Sequence, residues 1–138
     1  MSSIRVLIVE DFVPFRQFIP SRLATKPDLH VICEVSDGLE AVQKAVELKP
    51  DLILLDIALP SLDGIEAARQ IRKLVPESKI IFLSQESSAD LVHEAFSLGA
   101  RGYVVKAKAG SELLDAVDAV ISGKKFILRY EVSLVCSY

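Results

Sequence analysis

Apolar residues along the chain follow two alternating patterns. Five short runs are almost continuously apolar and are predicted to be strands: Arg5–Val9, Val31–Val35, Leu52–Asp56, Lys79–Ser84 and Gly102–Lys106. Between them, apolar residues at helical spacing predict helices over Val13–Thr25, Leu39–Leu48, Ile65–Leu74, Ala89–Leu98 and Ser111–Ser122. Strands that alternate with helices in this way indicate an α/β fold, with a parallel sheet and helices on both of its faces.

The polar residues inside these segments indicate which positions are buried. The runs IRVLIVE, DLILLD and KIIFLS contain few polar residues, as expected of strands covered on both faces. His30 and Glu34 interrupt the second run, which favours a place at the edge of the sheet. Helical spacing predicts that the second helix buries one stripe, made of Leu39, Val42, Ala45 and Val46.

The composition is typical of one compact domain. A chain of 138 residues, 51% hydrophobic and 25% charged, is long enough to bury roughly 70% of the surface that it exposes when unfolded. No apolar run approaches the ~20 residues that a membrane-spanning helix needs. The N-terminus reaches Glu10 and Asp11 too early for a signal peptide, so a cytoplasmic protein with no membrane contact is expected.

Cysteine content and charge argue against two further classes of protein. Cys33 and Cys136 are too few and too far apart to suggest a zinc site or a disulfide framework. The net charge is −3, and Lys and Arg are scattered rather than gathered in a basic stripe. Direct binding of nucleic acid by this chain is therefore not expected.

Chemistry-bearing residues stand at the ends of four predicted strands. Ligands of open α/β sheets bind beyond the carboxyl ends of the strands, so the residues there should converge on one crevice. The residues at these ends are three carboxylates, one hydroxyl and one ammonium group: Glu10, Asp11, Asp56, Ser84 and Lys106.

Three carboxylates in one crevice need a compensating charge. Two of them about 4 Å apart repel by about 4 kcal/mol at an effective dielectric constant of 20, so a shared proton or a cation is required. Oxygen ligands without His or Cys favour a hard ion, and Mg²⁺ is the expected cofactor. The expected ligands are Asp11, Asp56 and a loop carbonyl near Ala58, with Glu10 reaching the metal directly or through water.

Asp56 is the candidate nucleophile of this site. A carboxylate is ordinarily ionised at pH 7 and needs no general base, which fits a polar site without a catalytic histidine. Mg²⁺ and Lys106 would neutralise charge on a transferring phosphoryl group, and Ser84 could donate a hydrogen bond to it.

Each of these residues also has an ordinary structural role open to it. Asp11 and Ser84 could cap the helices that follow them, and Lys106 could be a solvated loop residue. Tyr103, on the last predicted strand, could be an edge aromatic. One such residue alone favours the structural interpretation, whereas five at matching strand ends favour a functional site.

The motifs around these residues resemble those of a known family, the receiver domain of bacterial response regulators. The resemblance runs from about Ile4 to Gly123. It is carried by the acidic pair in VED, the phosphorylation loop DIALPSLDG, the switch hydroxyl in FLSQ, and the aromatic residue and lysine in GYVVK. The resemblance implies a flavodoxin-like, doubly wound sheet of five parallel strands in the order 2-1-3-4-5.

The resemblance also implies roles for individual residues. Asp56 would accept a phosphoryl group from a sensor histidine kinase, with Glu10 and Asp11 holding Mg²⁺. Lys106 would pair with the phosphoryl group. Ser84 and Tyr103 would move together on activation. Such a chain is a signalling switch rather than an enzyme, since it catalyses only its own phosphoryl transfer and dephosphorylation.

The segment that begins LGARGYVVK is similar to receivers of the NarL-like class, which are commonly followed by a linker helix and a LuxR-type DNA-binding domain. The predicted division is therefore a receiver domain over residues 1–123 and a tail over residues 124–138. The tail alternates as a strand would and also forms a helical stripe; by the resemblance, a helix is expected from about Arg129. Homodimerisation on activation and transcriptional regulation by the full-length protein are expected, with DNA bound only through an output domain.

Two positions depart from the pattern of many receivers. Ala107 stands where many receivers have proline after the lysine, and a cis bond before a non-proline residue costs ~2.5–4 kcal/mol, so a trans bond is expected. Gln85, after the switch hydroxyl, is larger than the usual residue and could hinder access to the phosphoryl group.

Two other functions suit a similar fold. A phosphohydrolase of the haloacid dehalogenase type also uses an aspartate nucleophile, but it places a D-x-D motif at the end of the first strand, where this chain has EDFV. A flavin-binding module needs a phosphate-binding loop after the first strand, and an acidic EDFVPF would repel phosphate.

Overall fold

The structure, a computed structural model, describes residues 3–127. Its strands are β1 (Ile4–Val9), β2 (Leu29–Val35), β3 (Leu52–Asp56), β4 (Lys79–Ser84) and β5 (Gly102–Val105). Its helices are α1 (Val13–Leu23), α2 (Gly38–Leu48), α3 (Gly64–Leu74), α4 (Ala89–Ser97) and α5 (Ala109–Ile121). The five strands form one parallel sheet in the order β2-β1-β3-β4-β5, which confirms the predicted flavodoxin-like fold.

The sheet separates two apolar cores, and the alternation of side chains along each strand assigns residues to one or the other. In β1, Leu7 and Val9 pack with buried residues of α2, α3 and α4. Val6 and Ile8 pack on the opposite face with α1 and α5. Within the described part of the chain β2 pairs only with β1, so its predicted edge position is confirmed. The core on each face holds the carboxyl ends of the central strands side by side.

The ends of several elements differ from the predicted ones by one or two residues, as helix and strand ends commonly do. The largest consequence is at Lys106, which was predicted to end the last strand. The strand ends at Val105, and Lys106 begins a short 3₁₀ turn, Lys106–Lys108, that leads into α5. Every peptide bond within residues 3–127 is trans, as expected for the bond before Ala107.

The predicted buried stripe of α2 is wrong in part. Leu39 and Val46 are 52% and 44% exposed, whereas Ala41 and Ala45 are fully buried. The helix turns its smallest residues toward the sheet because its N-terminus lies against the loop after β3. A Cβ atom on Gly38 would stand only 1.7 Å from the carbonyl oxygen of Leu62. Helical spacing identified an apolar stripe, but close backbone approach determines which face is buried.

Two further features of the structure bear on earlier expectations. None of the helices described between residues 3 and 127 is long and apolar enough to span a membrane. After α5, Phe126 lies beside β5 in a parallel bridge to Gly102, and its N–H donates to the Arg101 carbonyl at 2.9 Å. The helix predicted from Arg129 lies outside the described residues.

The loop between β3 and α3 is held by backbone contacts. The Gly64 N–H donates to the Ile57 carbonyl at 2.7 Å, and the Asp63 carboxylate caps α3 by accepting from the Glu66 N–H at 2.9 Å. A Cβ atom on Gly64 would lie 2.1 Å from the Asp56 carbonyl oxygen. Glycine is therefore required where α3 starts, directly against the end of β3.

We predict that Gly64→Ala lowers the free energy of unfolding by about 2–3 kcal/mol, because the added methyl group must displace the backbone of Asp56. Urea denaturation followed by circular dichroism measures the change. Gly110→Ala is the matched control, since a Cβ atom there meets nothing within 4 Å and alanine favours a helix. Equal losses in the two variants would contradict the close packing at Gly64.

Candidate functional site

The predicted site residues meet at the carboxyl edge of the sheet. Glu10 follows β1, Asp56 ends β3, Ser84 ends β4, and Lys106 begins the turn after β5. β1 and β3 are neighbours with Val9 opposite Leu55, so Glu10 and Asp56 stand side by side. Both carboxylates are buried, with exposed fractions of 0% and 3%.

Glu10, Asp11 and Asp56 form a cluster of carboxylates. One oxygen atom of each lies within 4.8 Å of the others. Asp11 is exposed and completes the cluster on the solvent side. It does not serve as a helix cap, because α1 begins after Phe12 and has no capping hydrogen bond from a side chain. The alternative interpretation of Asp11 as a helix cap is therefore wrong.

Lys106 supplies the positive charge inside the cluster. Its Nζ atom lies 2.9 Å from Glu10 Oε2 and 3.3 Å from Asp56 Oδ2, and its side chain is only 12% exposed. The alternative of a solvated loop lysine is therefore wrong. When all three carboxylates are ionised, one ammonium group leaves a formal charge of −2, so the site then attracts a further cation.

The unused oxygen atoms of the site suit a hard metal ion. Glu10 Oε2 also accepts a hydrogen bond from the Phe12 N–H at 3.1 Å, whereas Glu10 Oε1 is buried without a partner within residues 3–127. Asp56 Oδ1 accepts from the Ala58 N–H at 3.3 Å. All available ligands are oxygen atoms, the donors that Mg²⁺ prefers. The residues present therefore fit Mg²⁺, the expected ion. That the Ala58 carbonyl is one of its ligands remains a prediction.

The environment of Asp56 changes its acidity. Burial, followed by the negative charge of Glu10, raises the pKa of Asp56 from 3.8 to about 7, although the Lys106 ammonium opposes the rise. The sequence-based expectation of a fully ionised carboxylate at pH 7 therefore needs correction for the metal-free protein. A bound cation would favour the ionised form.

Ser84 and Tyr103 contact the same residue of the loop between β4 and α4. Ser84 Oγ accepts a hydrogen bond from the Glu86 N–H at 3.0 Å, and the Tyr103 hydroxyl donates to the Glu86 carbonyl at 2.8 Å. The Tyr103 ring is fully buried, so it is not an exposed edge aromatic. Ser84 does not cap α4, because that role belongs to Ser88. Glu86 thus links the two predicted switch residues through its backbone.

Two residues of α1 contribute to the site and were not predicted. The Phe15 ring centroid lies 5.1 Å from Lys106 Nζ, and Arg16 Nη1 donates to the Glu10 carbonyl at 3.2 Å. Both contacts join α1 to other elements, the turn after β5 and the end of β1, so no local pattern in the sequence indicates them.

Comparison with known proteins agrees with the geometry. Residues 6–118 match the family model described as the response regulator receiver domain. The transcriptional regulatory protein LiaR of Bacillus subtilis is 40% identical over 121 residues, which cover 88% of this chain and 57% of that protein. The response regulator protein VraR of Staphylococcus aureus is 38% identical over 122 residues, covering 88% of this chain and 58% of that protein.

A solved structure resembles nearly the whole chain. It is the crystal structure of a two-component response regulator of the LuxR family from Aurantimonas sp. SI85-9A1, with a TM-score of 0.92 and 28% identity. The match covers 99% of this chain and 97% of that one. In contrast, the chain spans little more than half the length of LiaR and VraR.

We predict that Asp56→Asn stabilises the metal-free protein increasingly as pH rises. Since the folded protein raises the pKa of Asp56 from 3.8 to about 7, the folded state favours the protonated carboxyl. The stability that this group contributes is complete below pH 3.8 and is lost as pH rises through 7. An amide does not titrate, so the gain should exceed about 1 kcal/mol at pH 8, or roughly 4 °C in Tm.

Thermal unfolding in EDTA at pH 5, 6, 7 and 8 measures this gain. Asp115→Asn serves as the control, because Asp115 lies exposed on α5 and its substitution should change Tm little at any of these values. A gain for Asp56→Asn that is the same at pH 5 and pH 8 would contradict the raised pKa.

Proposed function

The chain belongs to the response regulator receiver family, and from this premise we propose that it is activated by phosphorylation of Asp56 by a sensor histidine kinase. The observation that supports this best is the Lys106 ammonium, 3.3 Å from Asp56 Oδ2 inside a pocket of carboxylates. A buried aspartate beside a fixed ammonium is suited to receive a group that brings further negative charge.

The transfer requires one bond to form and one to break. An oxygen atom of the ionised Asp56 carboxylate attacks phosphorus, and the bond between phosphorus and the donor atom breaks, with its electron pair leaving on the donor. No proton is taken from Asp56 when it is already ionised. Lys106 remains in place and neutralises part of the charge of the phosphoryl group.

Glu10, Asp11, Asp56 and the Ala58 carbonyl are the proposed ligands of Mg²⁺. A bound Mg²⁺ would neutralise charge on the phosphoryl oxygen atoms. The Oε1 atom of Glu10, buried and without a partner among residues 3–127, supports this assignment, as do the three carboxylate oxygen atoms within 4.8 Å of one another.

Ser84 and Tyr103 are the proposed switch. In the structure Ser84 Oγ accepts from the Glu86 N–H. A hydroxyl that turns to donate to a phosphoryl oxygen would release this N–H, and the loop that also holds the Tyr103 hydroxyl would rearrange. The change would pass to α4, which begins three residues after Glu86.

The output of this switch belongs to a longer protein. LiaR is a transcriptional regulatory protein of which this chain spans 57%, which supports a DNA-binding domain beyond a receiver of this kind. We propose that the receiver occupies residues 1–123, that residues 124–138 begin the connection to the output domain, and that the protein is cytoplasmic. We further propose that it forms homodimers on activation and contacts DNA only through the output domain.

We predict that Asp56→Asn abolishes phosphorylation, because the amide keeps the shape of the side chain and removes the nucleophile. Incubation with acetyl phosphate and Mg²⁺, followed by intact-mass spectrometry, should show one added phosphoryl group on the wild type and none on the variant. Wild type in EDTA, and Asp63→Asn in the presence of Mg²⁺, are the controls. The first should fail to react. The second changes a helix cap outside the carboxylate cluster, where asparagine can also accept the capping hydrogen bond, and it should still react. Continued labelling of the Asp56 variant would place the phosphoryl group elsewhere and overturn the proposed function.

We predict that Ser84→Ala still accepts a phosphoryl group but weakens the response of Tyr103. The variant lacks the hydroxyl that would leave the Glu86 N–H and donate to the phosphoryl group, so the loop that holds Tyr103 has less cause to rearrange. NMR of ring-labelled tyrosine, assigned with Tyr103→Phe, measures the response to acetyl phosphate and Mg²⁺. Ser88→Ala is the matched control, since Ser88 lies in the same loop but contacts the Leu91 N–H. A Tyr103 response in Ser84→Ala equal to that of the wild type would exclude this coupling.

A further inference from the structure

An aromatic ring of α1 lies against the ammonium group of the site. The Phe15 ring centroid is 5.1 Å from Lys106 Nζ, within the range of a cation–π interaction. Phe15 is half-buried and packs at the border of the core between the sheet, α1 and α5. It belongs to none of the motifs that define the site.

The ring complements the polar contacts of the ammonium group. Glu10 Oε2 and Asp56 Oδ2, at 2.9 and 3.3 Å from Nζ, are the two ion-pair partners of the Lys106 ammonium. The ring of Phe15 contributes a third contact, of a different kind, with the same ammonium. A flexible side chain with four methylene groups is thereby held by two carboxylates and an aromatic ring, and 12% of its surface remains exposed.

The position of the ring is itself restrained. Phe15 stacks on Phe18 with their centroids 5.5 Å apart and an angle of 28° between the ring planes. These two rings line an open groove of about 370 Å³ together with Phe12, Pro14, Lys106 and Gly110. The ammonium thus lies at the boundary between this apolar groove and the carboxylate pocket.

We infer that Phe15 is a positioning residue for Lys106, because its ring holds the ammonium against the two carboxylates and limits its contact with water. The inference rests on the proposed function in one respect, namely that Lys106 neutralises a phosphoryl group on Asp56. Removal of the ring leaves the carboxylates in place but allows the ammonium to move. The rate of phosphorylation should then fall by roughly three- to thirtyfold, the range that cation–π interactions imply.

Phe15→Leu and Phe18→Leu form a matched pair of variants. Both residues lie on α1, both pack at the edge of the same core, and either substitution breaks the stack between the two rings. Only Phe15→Leu removes the ring that contacts Lys106. With acetyl phosphate and Mg²⁺, Phe15→Leu should react more slowly than Phe18→Leu, whereas Phe15→Tyr should recover most of the wild-type rate because it restores a ring face.

A spectroscopic measurement tests the contact without phosphorylation. The protons on Cε of Lys106 lie near the ring of Phe15, so their NMR signal should be shifted upfield by the ring current. Phe15→Leu should move the signal toward the position of an ordinary lysine, and Phe15→Tyr should keep it shifted. Assignment by Lys106→Arg identifies the signal, and Tm values for the two leucine variants compare their effects on stability.

The outcomes separate the inference from the proposed function. Slow labelling and loss of the upfield shift in Phe15→Leu alone, with recovery of both in Phe15→Tyr, support the role of the ring. Labelling of Phe15→Leu at the rate of Phe18→Leu overturns it, and so does an upfield shift that survives the loss of the ring. If the wild type itself accepts no phosphoryl group, the proposed function fails. In that case, loss of the upfield shift of Lys106 in Phe15→Leu still establishes the contact between the ring and the ammonium group. An upfield shift that persists in Phe15→Leu still refutes this contact.

Discussion

The structure of the site depends on one electrostatic constraint, which is that two buried carboxylates share a single ammonium group. Parallel pairing of β1 with β3 places Glu10 beside Asp56, and the apolar cores on both faces prevent either strand from withdrawing. Lys106 offsets only part of their repulsion, so the pKa of Asp56 remains raised to about 7. The pocket is suited to a divalent cation, because the charge of Lys106 does not neutralise all of its carboxylates. With that cation bound, it is also suited to the charge of a phosphoryl group.

Backbone packing explains the position of the loop after Asp56 better than side-chain chemistry does. A Cβ atom on Gly64 would meet the Asp56 carbonyl, and one on Gly38 would meet that of Leu62. The Pro60 carbonyl between them accepts from the N–H groups of Gly38, at 3.3 Å, and Leu62, at 2.7 Å. The starts of α2 and α3 therefore hold the loop from both sides, and Asp56 keeps its place at the end of β3.

Most of the fold and most of the site could be predicted from the sequence because both depend on patterns that are local in the chain. Continuous apolar runs mark buried strands, and the rule that ligands bind at the carboxyl ends of strands brings Glu10, Asp56 and Lys106 together. The buried face of α2 was predicted incorrectly in part, at Leu39 and Val46, because hydrophobic periodicity does not include the space that a glycine leaves for a neighbouring loop. The raised pKa of Asp56 and the contact of Phe15 with Lys106 depend on distances between elements, which no spacing in the sequence contains.

These contacts give the site two separate connections to the rest of the molecule. Through Lys106 and Phe15, the carboxylates are joined to α1 and its apolar groove. Through Ser84 and the backbone of Glu86, the end of β4 is joined to Tyr103 and the start of α4. The two routes share no side chain and lie on opposite faces of the sheet, since α1 packs on one face and α4 on the other. In the proposed mechanism, a phosphoryl group on Asp56 would act on Lys106 and would draw the Ser84 hydroxyl toward it, so a single modification would alter both faces together.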